Sequence, residues 1–350
     1  MKLKKQLVIP IICAVLVIGI GFKFGFARRQ VEKDILVEEE IVDLPQKPSV
    51  SLDTYIPIIK DTVWHYEGKN QFEQMVSWVE FINNDVMQIR FFDGKESFVK
   101  IYMEEEDAIY EVATVEDVSI KENYTTLRQY KDVVLKLPLT VGSSWVMSDG
   151  SIRTITQVNR PYDTLIGEQR SLEVTTLHDD YKVIEVYAEK VGLVEITYED
   201  DKTAKTLELY EVENNKAQEE EVSLYLAEKN TGKLKNVKEK VVVMTNEEPK
   251  HFLTDLLKKV MGPEYVTTLS NGVIIEKIFI DDEKCLYVDL SGEFMDALYN
   301  EQEQKGVLMS LVQTLGDYYN ATYVVITVEG ETYPVKGGQA DVKGRIRVRR

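Results

Sequence analysis

The chain is short of the residues that most often carry chemistry, with only two cysteines and three histidines among its 350 residues. Cys13 lies inside an apolar N-terminal run and Cys285 opens a strand-like segment. An intrachain disulfide is therefore not expected, and no thiolate cluster for a metal exists. Missing disulfides do not exclude a place outside the cytoplasm, because domains of this size bury adequate cores without them. His65, His178 and His251 stand far apart and none has His-Glu-x-x-His spacing. They read as solvated or locally bonded side chains. No Gly-x-Ser-x-Gly elbow, phosphate-cradling glycine loop or Cys/His nucleophile signature is present.

Positive charge is the second shortage. The formal net charge is −18, and the excess is uneven: residues 27–221 hold 21 Lys and Arg against 41 Asp and Glu, whereas 222–350 hold 17 against 19. Nucleic acid and anionic lipid are excluded as partners of the acidic middle, since phosphate would be repelled where binding requires neutralisation.

What is present divides the chain into five stretches. Lys2, Lys4 and Lys5 precede an apolar run that continues past Lys23 to Phe26, so residues 1–27 read as a signal peptide or a transmembrane anchor. The run approaches the roughly 20 residues that span a bilayer, and the aromatic neighbours of Gly25 make a poor cleavage site, which favours an uncleaved anchor. A single pass with the lysines inside leaves the bulk of the chain extracytoplasmic, although Arg28 and Arg29 weaken that orientation. Residues 28–51 are charged and contain Pro45 and Pro48, as a solvated tether does.

Residues 52–213 alternate with period two over many short segments, among them 77–82, 86–91, 98–102, 172–176, 182–187 and 207–210. This predicts a β-rich domain. A weak internal repeat is visible: Pro57 with Trp64, and Pro138 with Trp145, share one spacing and each precedes a run of strands. Proline sets a bend and tryptophan fills a core on the plain reading; on the other, Trp64 or Trp145 lines a binding groove, and an apolar concavity lined by Trp64, Trp78 or Trp145 would mark a carrier. The stretch 137–145, Leu-Pro-Leu-Thr-Val-Gly-Ser-Ser-Trp, and the stretch 187–194 loosely resemble β-rich domains of bacterial envelope proteins.

Residues 214–221 are polar and acidic and predict a linker. From 222 to 350 the pattern is mixed. Segments 222–226 and 240–244 read as strands. Pro249 opens a helix whose Phe252, Leu253, Leu256, Leu257 and Val260 face inward, and Gly262-Pro263 stops it. Segments 273–280 and 285–290 flank a polar turn and predict a hairpin. Val307, Leu308, Leu311, Val312, Leu315 and Tyr318 give a second helix one broad apolar face to lay on a sheet, and 323–328 closes as a strand. The fold class expected is α+β: an anchor, a β-rich middle domain, and a small αβ domain with two helices packed on one sheet face.

Ser291 follows a strand and invites a nucleophile reading, but Asp289, Ser291 and Glu293 also read as a strand end and helix cap. Asp281-Asp282-Glu283 and Glu104-Glu105-Glu106-Asp107 invite calcium, yet neither alternates its oxygen ligands around a glycine turn, so both read as solvated turns. Arg345, Arg347, Arg349 and Arg350 make a basic end, read as an exposed tail or edge strand, or as a contact for acidic wall polymer or a neighbouring acidic subunit.

The C-terminal stretch resembles the GerMN family, first recognised in a spore germination protein. The resemblance is carried by Leu256-Leu257 through Gly262-Pro263, Leu269-Ser270-Asn271-Gly272-Val273, Val288-Asp289-Leu290-Ser291-Gly292-Glu293-Phe294, Leu311-Val312-Gln313-Thr314-Leu315, and Val328-Glu329-Gly330-Glu331. It implies an envelope protein of sporulation, germination or cell-wall processes that binds or assembles, with no catalytic residue to carry over. The expectation is a non-enzymatic module without cofactor or metal, partnered by an envelope protein or peptidoglycan, with homo-oligomerisation open. A lipid or glycan carrier built on the β-rich domain is the alternative, and a wall hydrolase the third class.

Overall fold

The computed structural model describes residues 51–68, 74–296, 300–335 and 340–349. The expected N-terminal anchor and most of the tether lie outside these residues. No described helix is long and apolar enough to cross a membrane.

Twelve strands form one antiparallel sheet. They are β1 (Thr62–Gly68), β2 (Gln74–Asn83), β3 (Val86–Phe92), β4 (Ser97–Glu105), β5 (Ala108–Val115) and β6 (Asp132–Lys136), then β7 (Ser144–Val146), β8 (Ile152–Thr164), β9 (Gly167–Leu177), β10 (Tyr181–Ala188), β11 (Gly192–Asp200) and β12 (Ala204–Asn214). The order across the sheet is β6-β5-β4-β3-β2-β1-β12-β11-β10-β9-β8-β7. Two six-stranded meanders therefore meet at the β1–β12 ladder. Each meander opens with one of the tryptophans of the sequence repeat, Trp64 on β1 and Trp145 on β7.

The sheet curls until its two end strands face one another. They are joined by side chains instead of a ladder: Trp145 Nε1 donates to Val133 O at 2.7 Å, Arg153 Nε to Val134 O at 3.0 Å, and Ser148 N and Oγ to the Asp132 carboxylate at 2.7 and 2.6 Å. Inside this near-barrel pack Trp64, Tyr66, Met87, Ile109, Leu135, Ile155, Leu172 and Tyr187, supplied by the alternation that predicted the strands.

The remaining elements are β13 (Gln218–Glu228), β14 (Leu234–Val243), α1 (Pro249–Lys258), β15 (Tyr265–Val266), β16 (Ile275–Ile280), β17 (Cys285–Leu290), α2 (Glu301–Tyr318), β18 (Tyr323–Val328), β19 (Glu331–Thr332) and β20 (Ile346–Arg347). They build two sheets, β14-β13-β15 and β16-β17-β18-β19, with β20 also on β18. β16 and β17 are the expected hairpin, while β17 and β18 run parallel, joined through α2. Asn300 caps α2: its Oδ1 accepts from Glu303 N at 2.9 Å, and Glu303 Oε2 accepts from Asn300 N at 3.1 Å.

Three expectations change. The first helix ends at Lys258, where Lys259 turns to extended backbone ahead of Gly262-Pro263, and Val260, expected to face inward, is exposed. The stretch 214–221 is strand at both ends, with β12 running through Asn214 and β13 starting at Gln218. Its acids hid the strand: Glu219 and Glu221 face solvent and pair across it with Lys240 at 2.8 Å and Lys238 at 3.3 Å, while Glu220 turns inward to the Tyr318 hydroxyl. The second helix also differs, since α2 is buried on every side from Gly306 to Gly316 instead of lying on one sheet face. Its polar residues bond to backbone: Ser310 Oγ donates to Tyr225 O, Tyr225 N donates to Thr314 Oγ1 at 3.0 Å, and Gln313 exchanges bonds of 2.7 and 3.0 Å with the Arg349 backbone. Small residues permit this approach, for a Cβ on Gly306 would meet the Ala227 Cβ at 2.9 Å.

Candidate interaction sites

Most residues that invited a chemical reading are held in structural bonds. His65 Nε2 lies 3.0 Å from Glu213 Oε2, and His178 stacks on Tyr181 with ring centres 4.3 Å apart. His251 is exposed on α1. The histidines thus sit on separate elements, and among the described residues no group of three His, Cys, Asp or Glu could hold a metal. Ser291 is buried and its hydroxyl accepts from Ile274 N at 3.1 Å, tying the strand end to the chain leading into β16. It occupies the N-cap position of a short 3-10 turn without a side-chain cap bond, so the expected cap is a cross-link. Asp289 Oδ1 accepts from Thr327 Oγ1 at 2.6 Å and Gly330 N at 2.9 Å. The Ser291 hydroxyl and its own backbone N–H hold Glu293 below the usual carboxylate range.

Asp281 Oδ1 accepts from Glu283 N and Cys285 N at 3.0 and 2.9 Å, which makes the polar spacer an Asx-type turn. Burial pushes the Cys285 thiol up, away from the reactive thiolate. In the acidic run, Glu105 pairs with Lys131 at 2.6 Å and Asp107 with Lys136 at 3.7 Å. Near the basic end, Arg345 pairs with Asp341 at 2.8 Å and lies over the Tyr323 ring. Ile346 and Val348 are buried, so this segment is a docked edge strand and not a free tail.

The near-barrel brings together a set of residues that no sequence signal grouped. Lys100 Nζ donates to Glu111 Oε2 at 2.8 Å, and Glu111 Oε1 also accepts from Thr114 at 3.1 Å and Tyr130 at 2.7 Å. Across the interior Arg153 pairs with Glu185 and reaches Thr176 Oγ1 at 2.9 Å and the Tyr187 hydroxyl at 3.2 Å. Burial alone would raise the Glu111 pKa, but the Lys100 ammonium and the two hydroxyls bring it below the ordinary value. Beside these pairs is a cavity of about 80 Å³ lined by Trp64, Tyr66, Met87, Tyr102, Glu185 and Tyr187. Ligand pockets run to roughly 300–1,000 Å³, so this space suits a few waters better than a lipid or glycan.

A larger opening lies where the β-rich part meets the C-terminal part. Strand β1 pairs with β2 only as far as Trp78, which leaves the edge of β2 from Val79 onward without a strand neighbour on that side. The segment after β14 fills the place. Thr245 Oγ1 donates to Val79 O at 2.9 Å, Asn246 N to Glu80 O at 2.9 Å, and Ile82 N to Asn246 Oδ1 at 2.6 Å. Asp61, just ahead of β1, exchanges bonds of 2.8 and 2.7 Å with Thr245. The ladder between β2 and β3 shifts register at Glu80. On the covered face Glu80 accepts from Arg90 Nε at 2.6 Å and Gln88 Nε2 at 2.7 Å, while Arg90 donates to Val118 O and Ile120 O, both at 2.6 Å. Ile120 in turn packs on the C-terminal core.

Next to this joint is a cleft of about 580 Å³. Trp78, Arg90 and residues 118–120 form one wall; Glu219, Glu220, Glu221, Lys238 and Asp317 are on the other. Glu220 Oε2 accepts from the Tyr318 hydroxyl at 2.8 Å, and burial raises its pKa above the usual carboxylate value. Trp78 is thus the tryptophan that lines an opening of ligand size, Trp64 borders the small cavity, and Trp145 serves the seam.

Comparison with known proteins bears on the C-terminal part. Residues 223–334 match the family model described as Germane, sporulation and spore germination. Among solved structures, the chain is similar to the first GerMN domain of the sporulation protein GerM from Bacillus subtilis, at 17% identity and a TM-score of 0.27, covering 37% of this chain and 94% of that one. The tandem GerMN domains of the same protein match at 14% identity and a TM-score of 0.27, covering 38% of this chain and 45% of that one. A putative lipoprotein from Clostridium perfringens matches at 18% identity and a TM-score of 0.24, covering 37% and 87%. No curated protein matches the chain. The Germane family match thus falls on the C-terminal part of this chain, residues 223–334.

Proposed function

We propose that this protein is a non-enzymatic, membrane-anchored extracytoplasmic binding or assembly module of the bacterial envelope, acting in sporulation, germination or an associated cell-wall process. The observation that carries this reading is the Germane match over residues 223–334. The structural bonds of Ser291, Asp289, His65 and His178 support a scaffold more than a catalyst. The lock between Thr245-Asn246 and the edge of β2 supports a single binding body, with the acidic β-rich part as spacer and second contact surface. The cleft of about 580 Å³ supports binding there, and the near-barrel cavity of about 80 Å³ lends less support to a carrier.

The test is capture from crosslinked envelopes with the chain as bait. Recovery of a defined envelope protein or of peptidoglycan supports the reading. Recovery of neither sinks it.

A further inference from the structure

We propose that the cleft between the β-rich part and the Germane domain receives a short basic peptide segment that presents lysine or arginine side chains. The inference rests on the binding-module reading and adds the location and chemistry of the partner.

Three features of the cleft carry it. The first is size: about 580 Å³ accommodates a few side chains of a peptide and falls within the range of ligand sites. The second is charge. Four carboxylates, Glu219, Glu220, Glu221 and Asp317, line it against two cations, Arg90 and Lys238. Arg90 is already neutralised by buried Glu80 at 2.6 Å. Lys238 and Glu221 are more than half exposed, as are Glu219 and its partner Lys240, which stands outside the cleft, and exposed pairs of this kind hold together weakly. An incoming ammonium or guanidinium can therefore exchange with these partners.

The third feature is the end of α2. A helix C-terminus carries partial negative charge and favours lysine or arginine in its last turn. Here the last turn has no basic residue and instead carries Asp317. The pole and the carboxylate add, and both border the cleft. Trp78 supplies an aromatic wall along which the apolar stem of a basic side chain packs, with its charged head toward Glu221 and Asp317.

The experiment titrates the full chain, in mild detergent at low ionic strength, with an acetylated and amidated penta-lysine peptide by isothermal calorimetry. One binding event per chain is expected, weakening steeply with salt. The variant Glu219→Gln/Glu221→Gln/Asp317→Asn should bind about tenfold or more weakly, on the scale of losing two or three charge contacts. A control variant, Glu104→Gln/Glu105→Gln/Glu106→Gln, removes three carboxylates from the end of β4 and the turn after it and should bind as the parent does. Circular dichroism shows whether each variant is folded. Equal weakening by both variants would assign the binding to diffuse charge and overturn the proposal, as would no binding by the parent chain or binding of calcium without peptide. Envelope capture with the cleft variant separates the two readings: a partner retained by that variant leaves the binding module standing and removes the cleft.

Discussion

Replacing Arg90 by methionine tests the joint between the two parts directly. Arg90 and Glu80 are both almost wholly buried, with side-chain exposures of 6% and 2%. The substitution removes three donors at once. It strands the Glu80 carboxylate with Gln88 Nε2 alone and leaves Val118 O and Ile120 O without the guanidinium. Breaking one side of a buried pair costs about 3–5 kcal/mol, because the desolvated partner charge remains. For a compact unit of this size, each kcal/mol is worth about 2 °C, so the midpoint should fall by roughly 6–10 °C. The double variant Glu80→Met/Arg90→Met removes both charges and should recover part of that loss, the remainder reflecting the two orphaned carbonyls. Calorimetric melting of the parent, the single and the double variants gives the comparison. A loss below about 1 kcal/mol in Arg90→Met, or a double variant no better than the single one, would refute the reasoning.

Other outcomes follow from the same geometry. Burial raises the folded-state pKa of Glu220, so its contribution to stability is present below the unfolded value near 4.5 and is lost as pH rises through the folded value. Glu220→Gln should therefore raise the melting midpoint at pH 7 and leave it unchanged near pH 4, provided the Tyr318 bond is kept. The lowered pKa of Glu111 has the opposite sign: its contribution is present above the unfolded value and is lost on acidification through the folded one, so Glu111→Gln should flatten the acid limb of a stability–pH curve. Gly316→Ala would press a methyl against Val348 and should cost about 1–3 kcal/mol, read as a lower urea midpoint. Ser291→Ala should cost about 1 kcal/mol through the lost bond to Ile274. Muropeptide release by the parent chain that Ser291→Ala abolishes would overturn the structural role given to Ser291.

The two halves of the chain were unequally legible in the sequence. The hairpin of β16 and β17, the existence of both helices and the closing strand β18 announced themselves through period and turn residues, although α1 ends at Lys258, before the Gly262-Pro263 stop, and the spacing shared by Pro57–Trp64 and Pro138–Trp145 marked the start of each six-stranded meander. What failed was legibility of partners. The acids of 219–221 read as linker because an exposed strand lacks apolar alternation, and the all-round burial of α2 was hidden because Ser310, Gln313 and Thr314 look solvent-facing until their backbone partners are known. Lys100, Glu111, Arg153 and Glu185 converge only because the sheet curls. Trp78 belongs to the expectation of an apolar concavity, but the cleft it lines is rich in carboxylates, and the opposite wall comes from strands and a helix about 140 and 240 residues further on, a juxtaposition that no local pattern carries.

The seam between β6 and β7 bears on how this sheet resists pairing with a foreign strand. A twelve-stranded sheet that is not closed by a ladder retains two backbone edges, each a template for a foreign strand. Here the edges shield one another, and Trp145, Arg153 and Asp132 act as latches that occupy polar groups a neighbouring molecule would otherwise recruit. Loss of the latches would free both edges together, so damage at these three positions should show first as self-association and only afterwards as unfolding.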